Sequence, residues 1–237
     1  MMISATRYYD RRYIERVFQP LLQDEDFYQT KARCAAQVYF GAFPRPLGPI
    51  LEYGCGLGQN IAAIDHAIGF DVNPAARDEC RRRGIQVLDC PSAIPKNHFQ
   101  YVLCRHVLEH VEQPLELLRE LFEYLTPSGR LILVLPVEFH RHVSLTPDVH
   151  RHFYCWNFRT INNLIWQAGG QPVYNAHEPM FGRRIHRPLK PILRLFGLPA
   201  YLFVARWLGR CVTSPEQIIH AVRRSEHEIR SEGVVSM

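Results

Sequence analysis

The sequence lacks several features that mark particular classes of protein. It has no C-x-x-C pair, no internal repeat and no low-complexity tract, and its seven cysteines are an odd number. These absences argue against a disulfide framework. Residues 1–10 lack the apolar run of a secretory signal, so we expect reduced thiols in a cytoplasmic protein. The net charge of +5 permits anionic partners but does not require nucleic acid.

The composition predicts one large domain. The chain has 237 residues, of which 47% are hydrophobic and 22% charged, and such a chain buries a sizeable core. The first forty residues predict two helices, Arg11–Leu22 and Phe27–Phe40, because apolar residues recur there at helical spacing. Three prolines and two glycines then interrupt regular structure in residues 41–49.

Short apolar runs alternate with helical patterns from residue 50 onward. Asn73 and Pro74 begin one helix and Gly84 ends it, and another helix is predicted over Asn157–Ala168. A short helix is also expected after residue 58, through Ile61 and Ile64, and residues 126–129 are expected to turn the chain. This alternation predicts an open parallel sheet with helices on both faces, which binds ligands at the carboxyl ends of its strands. The predicted strands are 50–53, 68–72, 85–88, 101–104, 131–135 and a sixth from 172.

The last fifty residues allow more than one interpretation. We expect a helix to Phe196, a final strand over Tyr201–Arg206 and a last helix over Pro215–Arg230. A membrane-surface helix over 184–208 is the open alternative, since four cations flank the apolar residues of this stretch. These cations are Arg184, Arg187, Lys190 and Arg194.

The residues that carry chemistry follow the first three strands. Residues 54–58 read G-x-G-x-G after a strand, and Gln59 stands where a dinucleotide fingerprint needs its last glycine. Asp71 follows the second strand, where a carboxylate can accept ribose hydroxyl hydrogens. Asp89 follows the third, where it can accept an adenine amine hydrogen. Both aspartates also suit turns before Pro74 and Pro91.

Together these stretches resemble the class I S-adenosylmethionine-dependent methyltransferases. The resemblance covers residues 50–175 and lies in "LEYGCGLGQN", "IGFDVNP", "VLDCPSAIP", "YVLCRHVLEHVEQPLELLRELFEYLTPSGRLILVLP" and "FRTINNLIWQAGG". Two positions depart from the family's pattern: Gln100 replaces the usual aspartate before the fourth strand, and Ser128 replaces a usual glycine before the fifth. Both positions look structural.

The resemblance implies a fold, a cofactor and a binding site. The fold is a doubly wound, Rossmann-like, seven-stranded and mostly parallel α/β sheet with an antiparallel last strand. An N-terminal helical cap (1–45) precedes the cofactor domain (46–210), and a C-terminal helix and tail (211–237) follow it. The cofactor is S-adenosylmethionine, with Asp71 on its ribose hydroxyls, Asp89 on its adenine amine and the backbone of Arg105 beside it. Its methionine part is surrounded by Glu52, Gly54, Gly56 and Gly58.

His106 is the candidate general base, because it follows the fourth strand and histidine titrates near neutrality. A role in lining the pocket is the alternative. Residues 106–110 also read H-x-x-E-H, a pattern of zinc proteases in which His106, Glu109 and His110 would share one helix face. Some relatives that methylate quinone precursors or RNA ends carry E-x-x-E-H here and use Mg²⁺. Since His106 replaces the first glutamate, we predict no metal.

Several further residues border the predicted site. Basic clusters at 140–142 and 150–152 suit an anionic or polar substrate, or a solvated loop. Tyrosines near the start suit an aromatic lid or core packing; these are Tyr8, Tyr9 and Tyr13. Lys31 or Arg33 could reach the cofactor carboxylate.

The expected function is methyl transfer to a small-molecule or lipid-like acceptor, without nucleic acid. Peripheral membrane contact through 184–208 accompanies this expectation. Two alternatives remain open at the level of sequence. One is a nicotinamide-dependent oxidoreductase on a Rossmann sheet, and the other is a non-catalytic cofactor-binding module or membrane-associated adaptor.

Overall fold

A computed structural model describes residues 9–138, 150–179, 182–212 and 215–225. Seven strands form one sheet in the order β3-β2-β1-β4-β5-β7-β6. β7 is antiparallel to both of its neighbours, and the strands from β3 to β5 are parallel. The strands are β1 Ile50–Tyr53, β2 Ala67–Phe70, β3 Gln86–Leu88, β4 Phe99–Arg105, β5 Leu125–Pro136, β6 Gly170–Pro179 and β7 Pro215–Arg223.

Helices flank this sheet, so the doubly wound fold predicted from the sequence is confirmed. Asn73 caps α4 through the N–H of Ala75, and Gly84 follows that helix at φ 73°. Asn157 forms a capping box with Thr160 at the start of α6. The helices are α1 Arg11–Val17, α2 Gln19–Gln23, α3 Glu25–Phe40, α4 Pro74–Arg82, α5 Pro114–Tyr124, α6 Phe158–Gln167 and α7 Arg183–Val212.

The N-terminal helices pack over the end of β1. The hydroxyl of Tyr28 donates a hydrogen bond to the carbonyl of Leu57 at 2.9 Å, and Phe18 lies against Gly56. The amide of Asn73 donates to the Asp10 carbonyl at 3.1 Å. This cap therefore covers the glycine loop, which places its side chains next to the predicted cofactor site.

Three local predictions were wrong. The single helix Arg11–Leu22 is two helices that meet at Phe18, because Pro20 has no N–H to continue the first one. The short helix expected after the glycine loop is a series of turns over residues 59–66. The turn expected at 126–129 lies within β5, beside a shift in its register with β4.

The C-terminal prediction was also wrong, because strand and helix are exchanged. Residues 201–206 belong to α7, which bends at Gly197, and residues 215–223 form β7. β7 lies between β5 and β6 and pairs with both, so its backbone groups are satisfied by neighbours that the local pattern does not reveal. The described part of the segment 211–237 is therefore not a helical tail, since residues 215–223 supply an inner strand of the sheet.

Candidate active site

The glycine loop after β1 has the backbone shape that its composition predicts. Gly54, Gly56 and Gly58 have φ values of 76°, 55° and 72°, a region that favours glycine. A Cβ at Gly54 would lie 2.2 Å from Val107, and one at Gly58 would lie 2.3 Å from Ile85. The N–H of Gly54 donates to the carbonyl of Phe70 at 2.7 Å, which fixes the loop to the end of β2.

Asp71 lies half-buried beneath this loop. Its Oδ2 accepts a hydrogen bond from the N–H of Gly56 and its Oδ1 from the N–H of Asn73, both at 2.8 Å. Burial raises the pKa of Asp71, and these two backbone donors oppose that rise. A carboxylate has about four acceptor positions, so Asp71 can hold the loop and still accept ribose hydroxyls.

Glu52 lies on β1 in the core of the site. The side-chain amide of Asn60 donates to its Oε1 at 2.5 Å, while its Oε2 is buried with no hydrogen-bond partner. Burial raises the pKa of Glu52 to about 8. A buried oxygen without a partner is costly, and a bound polar group, such as the methionine end of the cofactor, would satisfy it.

Asp89 lies at the surface, with 74% of its side chain exposed. It pairs with Arg81 at 2.5 Å and approaches Arg77 at 3.5 Å. Arg77 also donates to the carbonyl of Asp71 at 2.7 Å. The two aspartates are therefore connected through one guanidinium, and contact between Asp89 and adenine stays a prediction.

A second cluster lies beyond the end of β4. The guanidinium of Arg105 donates to the hydroxyl of Tyr39 at 3.0 Å and forms an ion pair with Glu216. Burial alone would raise the pKa of Glu216, but Arg105 and His106 hold it below its usual range. Sequence reasoning missed Glu216, because its segment was predicted to be a helix outside the sheet.

His106 faces the same glutamate. Its Nε2 lies 3.1 Å from Oε1 of Glu216. Burial and the charge of Arg105 lower the pKa of His106 to about 4, so the imidazole is neutral at physiological pH. The backbone at His106 has a φ of 54°, an uncommon value for a residue other than glycine that often marks a functional position.

A cavity lies between α3 and the ends of β4, β6 and β7. Lys31 lines it, and burial together with the nearby Arg105 lowers the pKa of this lysine to about 8. Arg33 is exposed and lies 3.5 Å from the hydroxyl of Thr30. The cavity reaches the cofactor residues through Asn60, which also binds Glu52. Its lining residues are Lys31, Cys34, Ala35, Val38, Tyr39, Asn60, Arg105, Glu178, Pro179 and Glu216.

A third cluster could hold a metal ion. Potential ligand atoms of Glu109, His110 and His152 lie within 4.8 Å of one another. Neither carboxylate oxygen of Glu109 has a hydrogen-bond partner, and burial raises its pKa to about 8. Burial, with His152 nearby, lowers the pKa of His110 to about 3. His106 is not in this group, because residues 108–110 form a short 3₁₀ turn rather than the helix that the zinc-protease pattern requires.

The residues around this cluster orient its histidines. The hydroxyl of Tyr9 lies 2.8 Å from Nδ1 of His110, and Nδ1 of His152 contacts Glu138. Tyr9 and Tyr13 also contact His150, so the predicted aromatic lid lies against the 150–152 cluster. Tyr8 and residues 140–142 lie outside the described residues.

Comparisons with known proteins agree with this arrangement. Residues 23–174 match the family described as methyltransferase domain. Mitochondrial ubiquinone biosynthesis O-methyltransferase of Schizosaccharomyces pombe is 34% identical over 100 residues, which cover 35% of this chain and 36% of that protein. The chain thus matches about a third of the length of this relative.

Solved structures share the fold. A possible histamine N-methyltransferase from Thermotoga maritima has a TM-score of 0.60 and 15% identity, covering 90% of this chain and 99% of that one. Magnesium protoporphyrin IX methyltransferase from Synechocystis was solved with S-adenosylhomocysteine. It has a TM-score of 0.58 and 15% identity, covering 92% of this chain and 97% of that one.

The fold and the glycine loop define an α/β protein that binds an adenosyl cofactor at the carboxyl ends of its strands. The chain belongs to the methyltransferase family. This family uses S-adenosylmethionine as the methyl donor, so the chain is an S-adenosylmethionine-dependent methyltransferase and the oxidoreductase alternative is wrong.

Proposed function

We propose that this enzyme methylates a small-molecule or lipid-like acceptor that enters the cavity between α3 and the strand ends. The observation that carries the proposal is the juxtaposition of two sites. The orphaned oxygen of Glu52 lies on the cofactor side, and Arg105 and Glu216 line the cavity on the other side, with His106 in contact with Glu216. Asn60 belongs to both, since it donates to Glu52 and lines the cavity.

When bound, the cofactor supplies an electrophilic sulfonium methyl group, and transfer would break the bond between the methyl carbon and sulfur to leave S-adenosylhomocysteine. Glu52 and the glycine loop would hold its methionine part, and Asp71 its ribose. The protein must then align the acceptor with the methyl carbon and exclude water, which can contribute about 7–11 kcal/mol. The packing of Phe18 and Tyr28 over the loop supports water exclusion.

His106 would accept the proton that an acceptor hydroxyl or amine loses as its oxygen or nitrogen bonds to the methyl carbon. The imidazole is neutral at pH 7 and so is ready to receive it. Glu216 is ionised and lies 3.1 Å away, so it would stabilise the imidazolium that forms. The low pKa makes His106 a weak base, so we expect its contribution to the reaction rate to lie at the lower end of the usual range for general bases, about 100-fold.

A divalent cation at Glu109, His110 and His152 is a second part of this proposal, and it departs from the prediction of no metal that was made from the sequence. Neither oxygen of the buried Glu109 carboxylate has a hydrogen-bond partner, and both histidines are oriented by a second group, as metal-binding histidines are. The ion would supply a Lewis acid near the acceptor. Mn²⁺ or Mg²⁺ should raise the melting temperature of the wild type and not of Glu109→Gln. His98→Asn, an exposed control, should respond as the wild type.

The test of function is transfer of labelled methyl groups from the cofactor to fractions of a cell extract, with identification of the products. The relative from S. pombe is named as an O-methyltransferase of ubiquinone biosynthesis, so hydroxylated lipid-like compounds are the first acceptors to try. We expect a labelled small molecule. Label found only in protein or RNA would refute the proposed acceptor class.

A further inference from the structure

Among the described residues, the large apolar side chains with the highest exposed fractions all lie on the kinked helix α7. Leu195, Phe196, Phe203 and Trp207 are 75%, 69%, 76% and 63% exposed. In the second half of the helix, 198–212, Phe203 and Trp207 are four residues apart and therefore lie on one side. Such an apolar strip on a surface marks an interaction site.

The same helix separates its cations into two groups. Those that face the protein are paired: Arg183 with Asp24 at 3.3 Å, Lys190 with Asp26 at 2.6 Å, and Arg206 with Glu178. Among the described residues, no carboxylate pairs with its four exposed arginines. These are Arg184, Arg187, Arg194 and Arg210.

The inner side of α7 packs against the rest of the protein. Ile185, Tyr201 and Ala205 pack with Cys34 of α3 in one buried cluster. His186 is fully buried and lies 3.2 Å from the hydroxyl of Tyr201. In a straight helix these two residues would be about 22 Å apart, so the halves on either side of Gly197 fold onto one another.

This packing decides between spanning a membrane and lying on one. By length and composition, residues 183–211 include a stretch apolar enough to cross a bilayer. The bend at Gly197 and the buried contacts with α3 exclude a straight span in the folded protein. In each half of α7 an exposed arginine lies next to exposed apolar residues. Arg194 lies beside Leu195 and Phe196 in the first half. Arg210 lies one turn after Trp207 in the second half. This combination has the character of an interfacial element on anionic lipid.

We propose that the exposed face of α7 docks on the surface of an anionic phospholipid bilayer. The unpaired arginines would contact lipid phosphates, and Phe203 and Trp207 would enter the headgroup region. Charge complementarity selects this occupant, because an apolar strip alone would suit a second copy of the chain equally well.

Docking would place the cavity next to the lipid. Cys34 both lines the cavity and packs against α7, and Glu178 lines the cavity and pairs with Arg206. Transfer of an acceptor from the bilayer into the cavity rests on the proposed function, whereas the docking itself does not.

The test is sedimentation of the full chain with vesicles of phosphatidylcholine alone or mixed with phosphatidylglycerol. We expect binding only to the mixed vesicles, weakened by salt. Arg184→Gln/Arg187→Gln/Arg194→Gln should weaken binding by about 100-fold, since each cation near the surface contributes about fivefold. Phe203→Ser/Trp207→Ser should weaken it by about tenfold or more, through the lost apolar contact.

Matched controls lie elsewhere on the surface. Lys96→Gln/Arg119→Gln, which removes cations of exposed ion pairs, and Tyr174→Ser, an exposed aromatic on β6, should bind as the wild type. Wild-type protein that stays unbound, or α7 variants that bind as tightly as the wild type, would overturn the proposal. A dimer that Phe203→Ser/Trp207→Ser dissociates, without vesicle binding, would assign this face to a second copy instead.

One further measurement separates this proposal from the proposed function. Calorimetry with S-adenosylhomocysteine should give the same affinity for the wild type and the α7 variants, because their substituted residues lie outside the cofactor site. Vesicle binding without any labelled small molecule would leave docking intact and refute the acceptor class. A labelled small-molecule product without vesicle binding would refute docking and leave the acceptor class intact.

Discussion

The two sides of the site are built in different ways. On the cofactor side, the glycine loop, Asp71 and Asn73 are joined by hydrogen bonds between residues 2 and 15 positions apart. On the acceptor side, Arg105 meets Glu216 across 111 positions and Tyr39 across 66. The first side is made by local backbone geometry, and the second by long-range contact between buried charges.

This difference has energetic consequences. The groups that donate to the Asp71 carboxylate are uncharged backbone N–H groups, so their loss would loosen only the glycine loop and the start of α4. The Arg105–Glu216 pair is buried on both sides, with 12% and 4% of the side chains exposed. Removal of one partner leaves an uncompensated buried charge. We therefore expect cofactor-side variants to lose mainly affinity and acceptor-side variants to lose stability or turnover.

The largest effect is expected for Asp71→Ala. Affinity for S-adenosylhomocysteine should fall by about 100-fold or more, since two charge-assisted hydrogen bonds contribute about 1.5–3 kcal/mol each. The free energy of unfolding should also fall by about 1–3 kcal/mol, because Gly56 and Asn73 lose their acceptor. Calorimetry and denaturant titration measure the two losses. Asp71→Asn keeps one acceptor oxygen and should lose less, and unchanged affinity in Asp71→Ala would contradict the assignment.

Glu216→Gln should lower the free energy of unfolding by about 3–5 kcal/mol, because Arg105 would stay charged and buried without its partner. Denaturant titration measures this change. Glu178→Gln is the matched control: its partner Arg206 is 43% exposed, so the loss should be about 1 kcal/mol or less. Equal losses for the two variants would remove the distinction between the buried and the exposed pair.

His106→Asn should slow turnover by about 100-fold on the acceptor found by labelling, with cofactor affinity near that of the wild type. Asparagine tolerates the positive φ at this position, so the backbone should persist. Steady-state rates and calorimetry on the same preparations test both halves of this expectation, with His98→Asn as control. Unaltered turnover would remove His106 as the base.

The smallest effect, counted per pH unit, is expected from the titration of Glu52. Its pKa is about 8 in the folded protein, against an ordinary value of 4.5, so between these pH values only the unfolded chain releases the proton. The free energy of unfolding should therefore fall as pH rises across this window, by about 1.4 kcal/mol per pH unit from this group. Glu52→Gln should lack this contribution, and denaturant titrations at pH 6 and about pH 8 compare the slopes. Identical slopes would show that Glu52 is ionised in the folded state.

Local signals explain which parts of the fold could be predicted. Asn73 and Gly84 mark the ends of α4 by capping chemistry that operates within a few residues. The apolar runs of β1 and β4 identify buried strands in the same way. Residues 215–223 have adjacent apolar residues that suit a helix face or a buried strand equally. These residues form a strand because they pair with β5 and β6, and no local feature of the sequence indicates that pairing.

The sequence by itself determined the alternation of strands and helices and the glycine loop with its aspartate, since backbone sterics and short-range hydrogen bonds act between near neighbours. Only the tertiary structure placed Glu216 beside Arg105 and His106, and His152 beside Glu109. It also turned α7 so that its unpaired arginines and aromatic residues face outward. Those arrangements depend on which distant segments share a sheet edge, and they place Glu216, His106 and Glu109 where burial and neighbouring charges shift their pKa values.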